Sequence, residues 1–389
     1  MLAADLDAAD PLASFRDRFV LDGDIVAYLD GNSLGRLPIA TRDRLAAFVE
    51  LEWGRELIRG WDHWVALPAD VGDEVGEVIG AAPGQTVVAD STSVCLYKLL
   101  HVAAGLLPER TEVVVEEHAF PTDRFLVDSV AAARGWTVRR IEHVRDLPSV
   151  LGERTAVVVL GHVDYRSGEV HDLPGITAAV REAGALSLWD LCHSAGVLPI
   201  GLDDHRVDLA VGCTYKYLNG GPGAPAFVYV AQRHLDAAHQ PITGWWAKAD
   251  MFEMTEGYRP ADGARRMLSG TPPVAGLLAV REGVRLTREA GIGAIRAKSV
   301  LLTSYATELL DAAGLEIVTP RVPDRRGGQV SVRHRNAREI TARLVARGIV
   351  PDFRPPDVVR LGFSPLTTSF AEVEAGIAAL VEEAATTPR

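Results

Sequence analysis

Between residues 86 and 230, short runs of β-branched residues alternate with longer amphipathic stretches, and this alternation restricts the fold more than any other feature. The strand candidates are TVVAD (86–90), TEVVVEE (111–117), TAVVVLGHV (155–163), ALSLWD (185–190), LAVGCTY (209–215) and PAFVYV (225–230). Helical spacing runs through SVCLYKLLHVAAGLL (93–107), PTDRFLVDSVAAARG (121–135) and ITAAVREAG (176–184). Strands that read as near-continuous apolar runs are buried on both faces. The pattern therefore predicts an α/β domain whose mainly parallel sheet is covered by helices.

The two ends read differently. A turn-rich piece, YLDGNSLGRLP (28–38), precedes a helical stretch from Ile39 to about Ile58. After about Pro273 a long helical region runs to roughly Ala313. LEIVTP, QVSVRHR, a helix through Arg347, a strand near VVRLGF and a last helix follow. These segments predict a smaller α+β domain over 275–389, with the N-terminal segment 1–50 packed against it and the large domain spanning 51–274.

Charge and composition exclude several classes. A formal charge of −12 argues against a nucleic-acid partner, because phosphate-backbone affinity rests on clustered Lys and Arg. No apolar run approaches the roughly 20 residues of a membrane span, and the acidic N-terminus has no secretory pattern, so a cytoplasmic protein is expected. The three cysteines, Cys95, Cys192 and Cys213, lack CxxC spacing and predict reduced thiols and no metal site.

In open α/β sheets ligands sit at the carboxyl ends of the strands. The first strand runs into Ser91-Thr92-Ser93 and a strong helix, which is either a plain cap or an anion site on the helix N-terminus. No nucleotide fingerprint is present: GxxxxGK[ST] and GxGxxG are both missing. The second strand exits at His118 to Asp123, which includes Phe120. ALSLWD ends in Asp190 with His193 three residues on, and LAVGCTY leads to Tyr215-Lys216 and a glycine-rich turn. Of forty basic residues only Lys98, Lys216, Lys248 and Lys298 are lysine, so amine chemistry has four candidates. Each signal is weak alone, and their order is stronger: phosphate site, aromatic, strand-end Asp, then Lys. That order suits pyridoxal 5′-phosphate, which needs a lysine for a Schiff base and commonly an acidic partner for its pyridinium nitrogen.

DLCHSAG (190–196) followed by GCTYKYLNGGPGAPAF (212–227) closely resembles the kynureninase signature, as do DGNSLG, GHVDYRSGEVHDLP, QPITGWW and LSGTPP. The likeness runs in order from about residue 28 to 370. It implies the fold-type I pyridoxal-phosphate-dependent transferase fold, a homodimer with shared active sites, and hydrolysis of L-kynurenine at the Cβ–Cγ bond to anthranilate and L-alanine. That activity belongs to tryptophan catabolism and the kynurenine pathway toward NAD biosynthesis. The alternatives are a related fold-type I enzyme acting on a ring-substituted kynurenine in a biosynthetic pathway, or a non-catalytic cofactor-binding protein. A cysteine desulfurase would need a nucleophilic cysteine in the C-terminal half, and none follows Cys213.

By the same resemblance Lys216 is the Schiff-base lysine, Asp190 the partner of the pyridine nitrogen, and Tyr215 an aid to proton transfer. Thr92 and Ser93 hold the phosphate. Phe120 stacks on the ring, and Pro121, Thr122 and Asp123 line the cofactor together with His193. Trp245 and Thr271 reach the phosphate from the neighbouring subunit. Arg360 takes the substrate carboxylate, a fork-to-fork contact. Trp61, with Trp64 as competitor, and Gly270 meet the substrate ring, and Asn32 and Ser33 approach the substrate.

Overall fold

The computed structural model describes residues 2–21, 23–253 and 256–386. Seven strands form the main sheet: β1 (Thr86–Ala89), β2 (Glu112–Glu116), β3 (Thr137–Ile141), β4 (Thr155–Gly161), β5 (Leu186–Asp190), β6 (Leu209–Gly212) and β7 (Ala226–Val230). Their spatial order is β1-β7-β6-β5-β4-β2-β3. The pairings from β6 through β5, β4 and β2 to β3 are parallel, and β7 runs antiparallel to both β6 and β1. The α/β expectation therefore holds, with all six sequence-derived strands present.

The seventh strand, β3, lay outside the sequence reading for a physical reason. It is the sheet edge, so Arg139 and Arg140 face water and its residues lack the apolar run of a central strand. Its neighbours are buried along almost every residue.

Helices α1 (Ile39–Ala47), α2 (Leu67–Ile79), α3 (Thr92–Leu106), α4 (Pro121–Arg134) and α5 (Leu173–Glu182) surround this sheet. The helical run expected from Ile39 to about Ile58 is α1 followed by wider π-type turns over Phe48–Glu56, and it ends where Leu57 takes a φ of +55°.

Two helices replace the single long one expected after Pro273: α6 (Val274–Ala290) and α7 (Ile292–Ala312). Gly291, at φ +78°, breaks them, a conformation a side chain would disfavour. Leu277, Leu278, Val280 and Val284 of α6 belong to the same core as α2 and the main sheet. Leu302, Ala306 and Leu310 of α7 belong to a separate core with the C-terminal strands. A smaller cluster that includes Leu286 of α6 and Ile295 of α7 spans the break at Gly291.

The smaller unit is a four-stranded antiparallel sheet of β8 (Glu316–Ile317), β9 (Gln329–Arg333), β10 (Asp352–Arg354) and β11 (Val358–Gly362), in the order β10-β11-β9-β8. Helices α8 (Ala337–Ala346) and α9 (Phe370–Thr386) cover it. The N-terminal segment docks here: Ala27 and Tyr28 pair in parallel with Ile349 and Val350, and Asp30 bridges Gly362. A buried ion pair, Lys298 to Asp10 at 2.7 Å, fastens the same segment to α7. No helix is long and apolar enough to cross a membrane among the described residues.

Candidate active site

Three main-sheet strands end within one neighbourhood. β5 stops at Asp190, whose Oδ1 accepts the backbone N–H of Cys192 at 2.8 Å and so fixes the carboxylate at the strand exit. β6 leads to Tyr215 and Lys216, and the turn beyond them closes through Asn219 N–H donating to the Lys216 carbonyl at 2.9 Å. Asp123 comes from the first turn of α4, whose Pro121 sits where a missing N–H costs nothing. Asp123 is buried and its carboxyl hydrogen-bonds to Asp190. Burial first, then the Asp190 charge, drives its pKa well above the usual carboxylate range, so Asp123 keeps its proton and donates it to Asp190.

The N-terminal DGNSLG segment lies directly on the Lys216 turn. Gly35 N–H donates to the Tyr215 carbonyl at 2.8 Å. A Cβ on Gly35 would stand 2.4 Å from the Lys216 carbonyl oxygen and 2.3 Å from Asn219 Oδ1, so only glycine permits this approach. Arg360, on β11, is 0% exposed. Its NH1 donates to the Tyr165 carbonyl at 2.7 Å. Its NH2 donates to Ser33 Oγ at 2.7 Å and to Asp352 Oδ2 at 2.6 Å. Asn32, fully buried, adds its amide oxygen 3.0 Å from Arg360 Nε in the orientation that matches donors to acceptors.

His193 links the two cations. Its Nε2 lies 3.2 Å from Lys216 Nζ and 3.5 Å from Arg360 NH1. Burial first, and then the charges of Lys216 and Arg360, hold its pKa well below the ordinary imidazole range. His193 is therefore neutral and accepts on Nε2. Tyr215 is half-buried, and burial followed by the neighbouring Cys213 pushes its phenol up. The Lys216 amine sits 6.0 Å from the centre of that ring.

The expected phosphate turn opens α3. Ser91 caps the helix, its Oγ accepting Val94 N–H at 3.4 Å, and Thr92 and Ser93 occupy the first turn, where N–H groups lack intrahelical partners. Phe120 precedes α4, partly exposed, with its ring 5.3 Å edge-on to that of Tyr165; Thr122 is half-buried one residue before Asp123.

The remaining expected residues form a second cluster. Trp61 packs against Trp246 at 5.2 Å and Trp64 at 5.3 Å, and Trp246 against Trp245 at 4.8 Å. Trp246 N–H donates to the Ser269 carbonyl at 3.1 Å, which brings Gly270 and Thr271 to the same edge, both exposed. Trp64 is a core residue, with its indole N–H donated to Glu52 at 2.8 Å, whereas Trp61 is half-buried. Of the two, Trp61 is the one with a face left to offer.

Tyr165 and Asp352 were missed in the sequence, although both bind Arg360. Asp352 carries no sequence signal, because its position depends on β10 pairing Asp352 opposite Arg360. A cleft of about 1290 Å³ opens elsewhere, lined by Glu116, His118, His162, Asp164, His171 and Arg325 among others, but not by Lys216 or Asp190. Burial, then Asp164 and Glu169, raises Glu116 there to about 8. The Lys216 cluster is the candidate site, because among the described residues an amine, a paired carboxylate and a buried guanidinium converge there.

Residues 295–380 match the family model described as the kynureninase C-terminal domain. A protein named kynureninase from Burkholderia pseudomallei is 43% identical over 380 residues, covering 95% of this chain and 91% of its own length. A kynureninase from Pseudomonas fluorescens is 41% identical with the same coverage. Among solved structures, a cysteine desulfurase from Thermococcus onnurineus superposes with a TM-score of 0.84 at 20% identity, covering 96% of this chain and 98% of that one. At that identity the likeness speaks for the fold alone.

Proposed function

Because the chain belongs to the kynureninase family, we propose that it hydrolyses L-kynurenine at the Cβ–Cγ bond, giving anthranilate and L-alanine with pyridoxal 5′-phosphate as cofactor. The observation that carries this reading is the convergence of Lys216 Nζ and Arg360 on His193 Nε2. An α-amino acid carries an amine and a carboxylate on one carbon, which suits a lysine and an arginine gathered about one imidazole.

The residues fit the cofactor. When bound, it supplies an electron sink for charge at the substrate Cα and Cβ. Thr92 and Ser93 with the α3 N-terminus hold the phosphate dianion, and Phe120 covers one ring face. Asp190 meets the ring nitrogen, and protonated Asp123 behind it keeps Asp190 an acceptor aimed inward. Lys216 anchors the cofactor and, once substrate displaces it, carries the Cα proton on Nζ. Tyr215 hands a proton across beside it. Arg360 grips the α-carboxylate, with Ser33 and Asn32 fixing its orientation from behind. Trp61 and Gly270 bound the aromatic ring of the substrate.

The catalytic unit is a homodimer. Trp53, Leu57, Ile58, Trp245 and Phe252 are exposed large apolar side chains that a partner surface would cover, and by the family likeness Trp245 and Thr271 serve the site of the neighbouring subunit. Three buried thiols, none in a disulfide, fit a reducing cytoplasm. The test is purified protein mixed with L-kynurenine. Anthranilate fluorescence together with a substrate-sensitive visible absorption band is expected. A protein that binds the cofactor and releases no anthranilate overturns the assignment.

A further inference from the structure

Lys98 lies on α3, two turns past the phosphate turn, and its side chain is wholly inaccessible. Its Nζ donates to Asp90 Oδ2 at 2.6 Å and to the Met267 carbonyl at 2.7 Å. A buried ammonium costs several kcal/mol of solvation, and an apolar side chain of similar volume would fill the space without it. Lys98 therefore needs a reason beyond packing, and its two partners supply one.

Asp90 is the hinge of the phosphate turn. It follows β1, directly precedes Ser91, Thr92 and Ser93, and holds a φ of +48°, a left-handed conformation uncommon for a residue other than glycine. Its own carbonyl accepts Ala226 N–H from β7, and its carboxylate accepts Lys98. The backbone that aims the first N–H groups of α3 is thus pinned from the sheet side and from beneath. Met267 is fully buried and leads into Leu268 and Ser269, whose carbonyls bind Gln240 and Trp246. Lys98 joins the phosphate turn to the strap that carries the Trp245–Trp246 aromatics.

We propose that Lys98 is a positioning residue for cofactor phosphate, tying the Asp90 turn to the buried Met267 carbonyl so that the first N–H groups of α3 stay aimed at the dianion. This rests on the cofactor reading above.

The experiment uses the dimeric holoenzyme and its apo form, with Lys98→Met and Asp90→Asn made separately and together. Asparagine keeps the shape of aspartate and tolerates the left-handed backbone, so it isolates the charge on the pair. Pyridoxal 5′-phosphate is titrated into each apoenzyme, and the 31P resonance of the bound cofactor and the apo melting temperature are recorded. Lys98→Met is expected to weaken cofactor binding by about tenfold, the weight of one charge-assisted hydrogen bond, and to move the 31P resonance. Asp90→Asn should act in the same direction, and the double variant should be no worse than Lys98→Met. An unchanged cofactor Kd and 31P shift, with only a lower apo melting temperature, would overturn the proposal by making Lys98 structural. If Lys98→Met does not fold, Asp90→Asn decides by the same two readouts. Failure of the cofactor reading is separate: the unmodified protein would then bind no pyridoxal 5′-phosphate.

Discussion

The floor of the site and its rim are built on opposite plans. The floor, Lys216, Asp190, Asp123, His193 and Arg360, stands on strand ends and a helix start, and one chain's own hydrogen bonds orient its groups. The rim, Trp61, Trp245, Gly270 and Thr271, stands on turns and short helical pieces and leaves indole surface and backbone exposed. The floor needs rigid geometry because proton transfer and charge stabilisation fail when groups drift by about an ångström. The rim needs shape and dryness, which a second protein surface can provide. The floor is thus oriented within one chain, and under the proposed dimer selectivity is set between protomers.

The largest effect expected tests the floor. Lys216→Ala should abolish turnover and leave cofactor bound only non-covalently, and borohydride reduction followed by peptide mapping should place the label on Lys216 in the unmodified protein. Label on Lys98, Lys248 or Lys298 would dismantle the floor as described. Asp190→Asn should lower kcat by about 10²-fold or more while cofactor affinity falls far less, since the phosphate contacts remain. Near-normal turnover would remove the ring-nitrogen role. Arg360→Lys should raise KM by roughly tenfold to a hundredfold, because an ammonium cannot reproduce the fork. An unchanged KM moves the carboxylate site elsewhere.

The next pair of variants divides core from rim across two intervening residues. Trp64→Ala should destabilise the fold by about 3–5 kcal/mol, as a buried core indole does, with kinetics of the surviving protein little altered. Trp61→Ala should do the reverse, a small loss of stability and a clear change in aromatic-ring selectivity. Melting curves and kcat/KM on both variants check this, and similar outcomes for the two would erase the distinction. The smallest effect concerns substrate choice. Gly270 places no side chain at the ring edge, so an extra hydroxyl finds no committed partner and its desolvation costs about 1–3 kcal/mol. Kynurenine should be preferred over its 3-hydroxy derivative by roughly ten to two hundred in kcat/KM. Preference for the 3-hydroxy compound would mean that the assembled rim presents a polar group.

Legibility followed the same division. The strands that carry the floor were plain in the sequence because burial on both faces leaves little but Val, Leu and Ala. Asp190 and Lys216 were plain because they end or follow such strands. Arg139 and Arg140 hid the edge strand, since one side of it meets water. The break at Gly291 was hidden because apolar spacing continues on both sides of a single glycine. Asp352 and Tyr165 could not be read at all. Their hold on Arg360 depends on strand register and on a backbone carbonyl, neither of which the residue type reveals.

The lysines have a practical consequence for whoever handles this protein. Lys98 and Lys298 are buried in ion pairs, Lys216 is half-buried in the site, and Lys248, also half-buried, is bonded to the Glu253 carbonyl at 2.6 Å. Of the four, Lys248 alone brings its amine to the outer surface, in an exposed hydrogen bond. The surface is therefore nearly mute to acylating dyes, amine cross-linkers and lysine-directed immobilisation, and its many arginines and carboxylates are the handles that remain. The same silence works in favour of cofactor counting. Excess aldehyde finds little surface amine to decorate, so a reduced and trapped adduct reports occupancy of the site with almost no background.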